Sequence, residues 1–253
     1  MSTIHTVMFA FHILFGTAAL ALFWVPIFTR KGQLNHIKFG RFYKITMYLV
    51  AGTGAIMATM TFAFPLTIRP EHASEPYAEQ FVEQSRSLAG FLFYLAILSF
   101  TSTRHGIAVL KAKSDRVMLN TLNYLLPIWA LFFGGFILLA AGMMRGAALY
   151  IIFAALGIAV ASTMLRYSLR KEVAKNQWVL EHIGGMIGSG IGAYTAFLAF
   201  GGRTLFTDLG EWQIVFWVAP GVIGSIASYI VCKKYERIFQ VQKPRGSSQV
   251  RLD

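Results

Sequence analysis

The chain has a single cysteine, Cys232. That excludes an intrachain disulfide and a thiolate-held metal cluster. Its position beside Lys233 and Lys234, at the end of an apolar run, reads as that of an inert thiol. Acidic residues are scarce as well: 11 Asp and Glu stand against 23 Lys and Arg, and only 13% of the 253 residues are charged. A soluble domain carries roughly 25%. With 56% hydrophobic residues and a mean hydropathy of +0.56, the deficit exceeds what a large core requires. The class is all-α, a polytopic membrane helix bundle. A net charge of +12 would suggest nucleic acid in a soluble protein. Here the basic residues cluster between apolar runs, so topology and contact with anionic lipid account for them, and no nucleic-acid partner is expected. HEXXH, HxxxH and CxxC spacings are also missing, as is a nucleophile paired with a base. Hydrolytic and lipid-modifying chemistry therefore has no motif to rest on. No cleavable signal peptide is expected, because the first apolar run is as long as a full span and no basic stretch precedes it.

About 20 apolar residues carry a helix across the hydrocarbon layer. Seven runs qualify, near Ile4–Phe28, Tyr43–Ile68, Leu88–Leu110, Leu119–Met144, Ala147–Leu165, Trp178–Gly201 and Trp212–Cys232. They define a transmembrane domain over residues 1–239 and leave "QVQKPRGSSQVRLD", residues 240–253, as a tail with the composition of a disordered end. Among the basic residues, only Arg69, Arg86, Arg145 and Arg203 fall outside the first, third and fifth connections, their flanking helix ends and the tail. The positive-inside rule then places the N-terminus outside and the C-terminus in the cytoplasm. Trp178 and Trp212 stand where spans begin, as interfacial anchors do. Pro26, Pro127 and Pro220 fall inside spans, which membrane helices tolerate when neighbours satisfy the freed carbonyls.

The sixth run repeats small residues every four positions, as Gly184, Gly188 and Gly192 and again as Gly185, Ser189 and Ala193. Gly221 with Ser225, Gly224 with Ser228, and Gly54 with Ala58 continue the pattern elsewhere. Such faces let helix backbones approach closely, within one chain, between copies or with a membrane partner. Alternatively, the missing side chains make room for a flat ligand.

Ionisable groups are costly inside the hydrocarbon, by about 2.5–3.5 kcal/mol at the centre on insertion scales. Those within the runs are His12, Arg104, His105, Glu181 and His182. At a helical rise of 1.5 Å per residue, His182 lies roughly 6 Å inside the boundary set by Trp178. His105 reaches a similar depth from the third run, and His36 sits in the connection "KGQLNHIKFGRFY" on the same side. His12 falls in the outer half or near the middle of its span, where Gly16 one turn away suits a close neighbour. Several arrangements fit the cytoplasmic cluster. His105 and His182 suit the axial positions of a haem, with Arg104 near a propionate. His36, His105, His182 and Glu181 form a donor set for a divalent metal. Glu181 and His182 suit a proton or solute path. Finally, Glu181 paired with Arg104, and imidazoles bonded to carbonyls, would make the group structural. His5 and His72 are expected to face solvent. Asn120 and Asn123 are expected to bond between helices, and Glu71, Glu75, Glu79 and Glu83 to form one acidic stripe if their segment is helical.

His12, Gly16, Lys31, Gly32, His36, Gly40 and Tyr43 form a pattern that resembles an uncharacterised bacterial family of predicted membrane proteins of unknown function. "HIGGMIGSGIGAYTAFL", residues 182–198, is similar to that family's second signature. The resemblance implies a bacterial inner membrane protein and a role for His12, His36 and His182. It implies no reaction.

Overall fold

In the computed structural model of the protein, residues 1–201 and 213–241 are described. The Trp212 anchor, Arg203 and residues 242–253 of the expected tail lie outside them. Among the described residues there is no β-strand, and seven helices are long and apolar enough to cross a membrane. The elements in order are α1 (Ser2–Phe28), α2 (Leu34–Ala63), the single turn α3 (Pro65–Ile68), α4 (Ala78–Ala112), α5 (Leu122–Arg145), α6 (Ala148–Leu169), α7 (Gln177–Ala196) and α8 (Gln213–Ile238). A π-helical turn, Phe197–Gly201, extends α7.

The helices begin and end where backbone chemistry requires it rather than where the lipid would end. α2 starts at Leu34, well before the apolar run at Tyr43, and α4 spans Ala78–Ala112 rather than Leu88–Leu110. At 35 residues α4 is about 52 Å long against a hydrocarbon core of about 30 Å, so both its ends stand outside the core. Gly32 turns the chain from α1 into α2 with φ +77°. Gly146 ends α5 in the left-handed region, φ +62°, and its N–H closes on the carbonyls of Gly142 and Met143. A side chain is strained at such a position, which suits glycine and allows α6 to begin two residues later. The acidic segment does not form one stripe. Its helix starts only at Ala78, so Glu79 and Glu83 ride on α4, Glu71 pairs with Arg69 at 3.5 Å, and Glu75 accepts from His72 at 2.8 Å. His72 is also stacked on Phe81, with ring centroids 4.1 Å apart, rather than free in solvent.

α4 is the hub, packed against α2, α5, α6 and α7. One core joins α4, α5 and α6 around Phe91, Tyr94, Leu131, Ala154 and Ala161, all buried. Tyr94 lies in the space left by Gly134, Gly135 and Gly157, and its hydroxyl donates to the Leu131 carbonyl at 3.3 Å. A second, smaller core joins α1 and α2 through Ala19, Tyr43 and Met47, packed on Met186 and Ala193 of α7. There the Tyr43 hydroxyl donates to Ser189 at 2.9 Å, while Ser189 donates onward to the Met186 carbonyl at 2.8 Å.

Candidate functional site: a buried imidazole–carboxylate pair

Glu181 and His182 are consecutive on α7, and about 100° of helical rotation sends them to different neighbours. Glu181 turns toward α4, α5 and α6. Its Oε2 lies 3.3 Å from His105 Nε2, and its Oε1 accepts from Gln177 Nε2 at 3.1 Å. His105 is 2% exposed, and its other nitrogen, Nδ1, is 2.6 Å from the Tyr124 hydroxyl of α5. A carboxylate can only accept, so His105 presents Nε2–H to Glu181 and takes the Tyr124 O–H at Nδ1. The result is a directed chain of hydrogen bonds, Tyr124 to His105 to Glu181, with Gln177 donating from the far side. Tyr167 closes the pocket with its ring across the imidazole, centroids 6.1 Å apart. The Tyr167 hydroxyl is buried and has no hydrogen-bond partner among the described residues. Arg116 holds that tyrosine in place through its main-chain carbonyl, at 2.7 Å.

Further along α4 and α7 lie other buried hydroxyl groups. Ser102, Thr101 and Thr103 are buried on α4, and Thr195 is buried on α7. A cavity of about 30 Å³ is lined by Ser99, Thr195 and Gly192 among apolar neighbours. A buried water needs roughly 10–15 Å³ of such space, so the cavity has room for one or two. Ser99 is six residues from His105, about 9 Å along α4.

His182 also meets α4, one residue further on, and faces the α1–α2 connection as well. Its Nδ1–H donates to the Gly106 carbonyl at 2.7 Å, and His36 and Lys31 are within electrostatic reach. His36 is built alike: its Nδ1–H donates to the Pro26 carbonyl at 3.0 Å. Lys31 donates to the same Pro26 carbonyl at 2.7 Å and to Ile27 at 2.6 Å, covering the open carbonyls at the end of α1. Burial there, and then the Lys234 ammonium, hold the Lys31 amine below the ordinary lysine range. Neither His36 nor His182 has a hydrogen bond to Nε2 among the described residues.

The sequence-derived residues therefore divide into separate groups. His105 and Glu181 meet, while His36 and His182 are within electrostatic reach of each other. Arg104 pairs with neither Glu181 nor a histidine: it donates to Asn123 at 3.2 Å and lies over the rings of Phe100 and Tyr124. Asn120, in a 3₁₀ turn, lies exposed ahead of α5. His12 donates Nδ1–H to Thr53 at 3.0 Å, and the Gly54 Cα faces its ring. It is fourteen residues from Pro26, about 21 Å along α1, and shares no site with the others. His5 lies 3.4 Å from the Thr61 hydroxyl.

Two of the cofactor arrangements do not fit this geometry. A haem between His105 and His182 needs α4 and α7 held apart, yet these helices touch there: a Cβ on Gly185 would lie 2.9 Å from the Gly106 Cα. Both His105 nitrogens are also already engaged. Nor do His36, His105, His182 and Glu181 converge, since among the described residues no three His, Cys, Asp or Glu side chains are placed to hold one metal ion. The glycines resolve in the same terms. Gly185, Gly190 and Gly224 are filled by Gly106, Phe23 and Ile191, whereas Gly184 and Gly188 have nothing within 4 Å.

Tyr124, Tyr167 and Gln177 complete the pair, and sequence reasoning misses all three. A tyrosine near a span end is ordinary interfacial composition, so nothing distinguishes these. No family model, curated protein or solved structure matches the chain.

Proposed function

We propose that this protein is a proton transporter of a bacterial inner membrane, with Glu181 and His105 taking up and releasing the proton. The observation that carries the reading is the carboxylate–imidazole contact of 3.3 Å within a membrane-crossing bundle, on a histidine 2% exposed. With His105 neutral, as its bond from Tyr124 sets it, Glu181 brings an unneutralised carboxylate, 22% exposed, into the bundle, a costly placement that packing alone does not explain. Intramembrane acids and histidines characteristically mark proton relays. The Tyr124 hydroxyl, bonded to His105 Nδ1, supplies a further group that can pass a proton along. The basic connections support a cytoplasmic-side position for the pair, with the N-terminus outside and the C-terminus inside. Kinship with the bacterial family suggested by the His12–Tyr43 pattern agrees with this setting.

The test is proton flux. The full chain, reconstituted in liposomes with an internal pH-sensitive dye, is expected to dissipate an imposed pH gradient, and Glu181→Gln to stop it. Undiminished flux in Glu181→Gln would remove the reading.

A second reading is favoured by one specific feature. His36 and His182 each anchor Nδ1–H on a backbone carbonyl and leave Nε2 unbonded, the orientation in which ligating histidines are held. On this reading the two imidazoles bind a haem or a divalent metal from the α1–α2 side of α7, serving membrane redox chemistry. Protein purified in mild detergent would then show a Soret band or a stoichiometric metal, lost in His182→Ala. Colourless, metal-free protein contradicts it.

A further inference from the structure

The geometry points to a binding site for a zwitterionic phospholipid carrying a primary ammonium, in the cleft between α4 and α5 at the end of the bundle opposite the imidazole–carboxylate pair. α4 and α5 are tied together toward one end through Arg104–Asn123, His105–Tyr124 and Tyr94–Leu131, and at the other through the exposed Arg145–Glu83 pair. Beyond Tyr94 they diverge, and the opening has a volume of about 690 Å³. Ligand clefts typically span about 300–1,000 Å³, mostly apolar with a few placed polar groups, and often lie between helices of a bundle.

The lining is ordered along α4 as such a lipid is ordered along its own length. Outermost is Glu79, then Glu83 and Arg86, then Gly90, Phe93 and Ile97. Arg145 of α5 stands across from Glu83, 3.4 Å away. Carboxylates therefore lie at the membrane boundary with guanidinium groups beside and beneath them. This is the order of an ammonium above a phosphate. Glu83 and Arg86 are about 4.5 Å apart in helical rise. From Arg86 to Ile97 is about 16 Å of rise, close to half of the roughly 30 Å hydrocarbon core and so the depth of one leaflet's chains.

The polar groups deeper in the cleft are already paired. The Ser87 and Tyr150 hydroxyls bond to each other at 3.0 Å, and the Tyr94 hydroxyl is held by Leu131. The deep half thus offers only apolar surface. Arg86 is fixed by one bond from Nε to the Phe62 carbonyl at 3.1 Å, which leaves its two terminal nitrogens for a phosphate. An ammonium with N–H groups can donate to Glu83 and Glu79, whereas an anionic headgroup would meet both carboxylates unfavourably. Gly90 keeps the cleft open, since a Cβ there would meet nothing within 4 Å.

The experiment measures lipid retained by full-length protein. Protein purified in mild detergent is delipidated, exposed to mixed vesicles of phosphatidylethanolamine and phosphatidylglycerol in equal amounts, repurified, and its lipids quantified by mass spectrometry. The expected result is enrichment of phosphatidylethanolamine over the vesicle ratio. Arg86→Ala should lower its retention by about tenfold, the loss expected from one charge-assisted hydrogen bond. Gly90→Leu, which fills the cleft without touching a charge, should lower it similarly in protein that still migrates as a folded species. Lipid retained in the vesicle ratio, phosphatidylglycerol enriched instead, or undiminished retention in either folded variant overturns the assignment.

Discussion

The two ends of α4 use the same residue to opposite effect. At one end Gly106 meets Gly185, and the backbones of α4 and α7 close on each other around the His105–Glu181 pair. At the other end Gly90 faces open space, and a cleft between α4 and α5 lies under a charged rim that the Arg145–Glu83 pair bridges. At the closed end both nitrogens of His105 are bonded, while the buried Tyr167 and Ser168 hydroxyls have no hydrogen-bond partner among the described residues. The open end keeps Glu79, Glu83, Arg86 and Arg145 at the boundary, where water and headgroups can solvate them. A glycine in a membrane helix thus says nothing of packing until the facing atom is known.

The comparison can be broken from its closed end first. Gly185→Ala places a methyl group against the Gly106 backbone, which has no side chain to move aside. A cost of about 1–3 kcal/mol is expected, as for other overpacked sites, and a thermal melt in detergent should fall by several degrees. Tyr124→Phe removes the donor to His105 Nδ1 and leaves a buried acceptor unpaired, costing roughly 1–3 kcal/mol. The same variant should slow proton flux, which Gly185→Ala in protein that still folds should not. His36→Ala frees the Pro26 carbonyl, but Lys31 still donates to it. A loss of about 1 kcal/mol or less is expected, with proton flux intact. Gly184→Ala and Gly90→Ala meet nothing within 4 Å, and both should leave the melt within about 0.5 kcal/mol of wild type. A large loss from Gly184→Ala would show that the open face of α7 is covered by a second chain.

What the sequence made legible follows from what hydropathy measures. Apolar runs locate the spans because lipid demands them, and all seven helices overlap the expected segments. Helix ends are less visible. The hydrogen-bond ladder of α2 and α4 continues past the hydrocarbon into polar residues, and its stops depend on turns at Gly32 and Lys113. The depth of His36, His105, Glu181 and His182 could be reckoned from helical rise alone. Their partners could not, because one residue of rotation changes which atoms of the facing helix a side chain meets. Glu181 meets His105 and not its neighbour Arg104, and His182 meets a carbonyl and not His105. Which helices surround α7 decides these outcomes, and the order of packing is not written in a hydropathy pattern.

The most direct test of the account is infrared difference spectroscopy on a pH titration of the purified protein. If His105 and Glu181 share a proton in the bundle, a carboxyl band should appear on acidification, vanish in Glu181→Gln, shift in His105→Gln and stay unchanged in His182→Gln. A band that titrates identically in wild type and His105→Gln would contradict it.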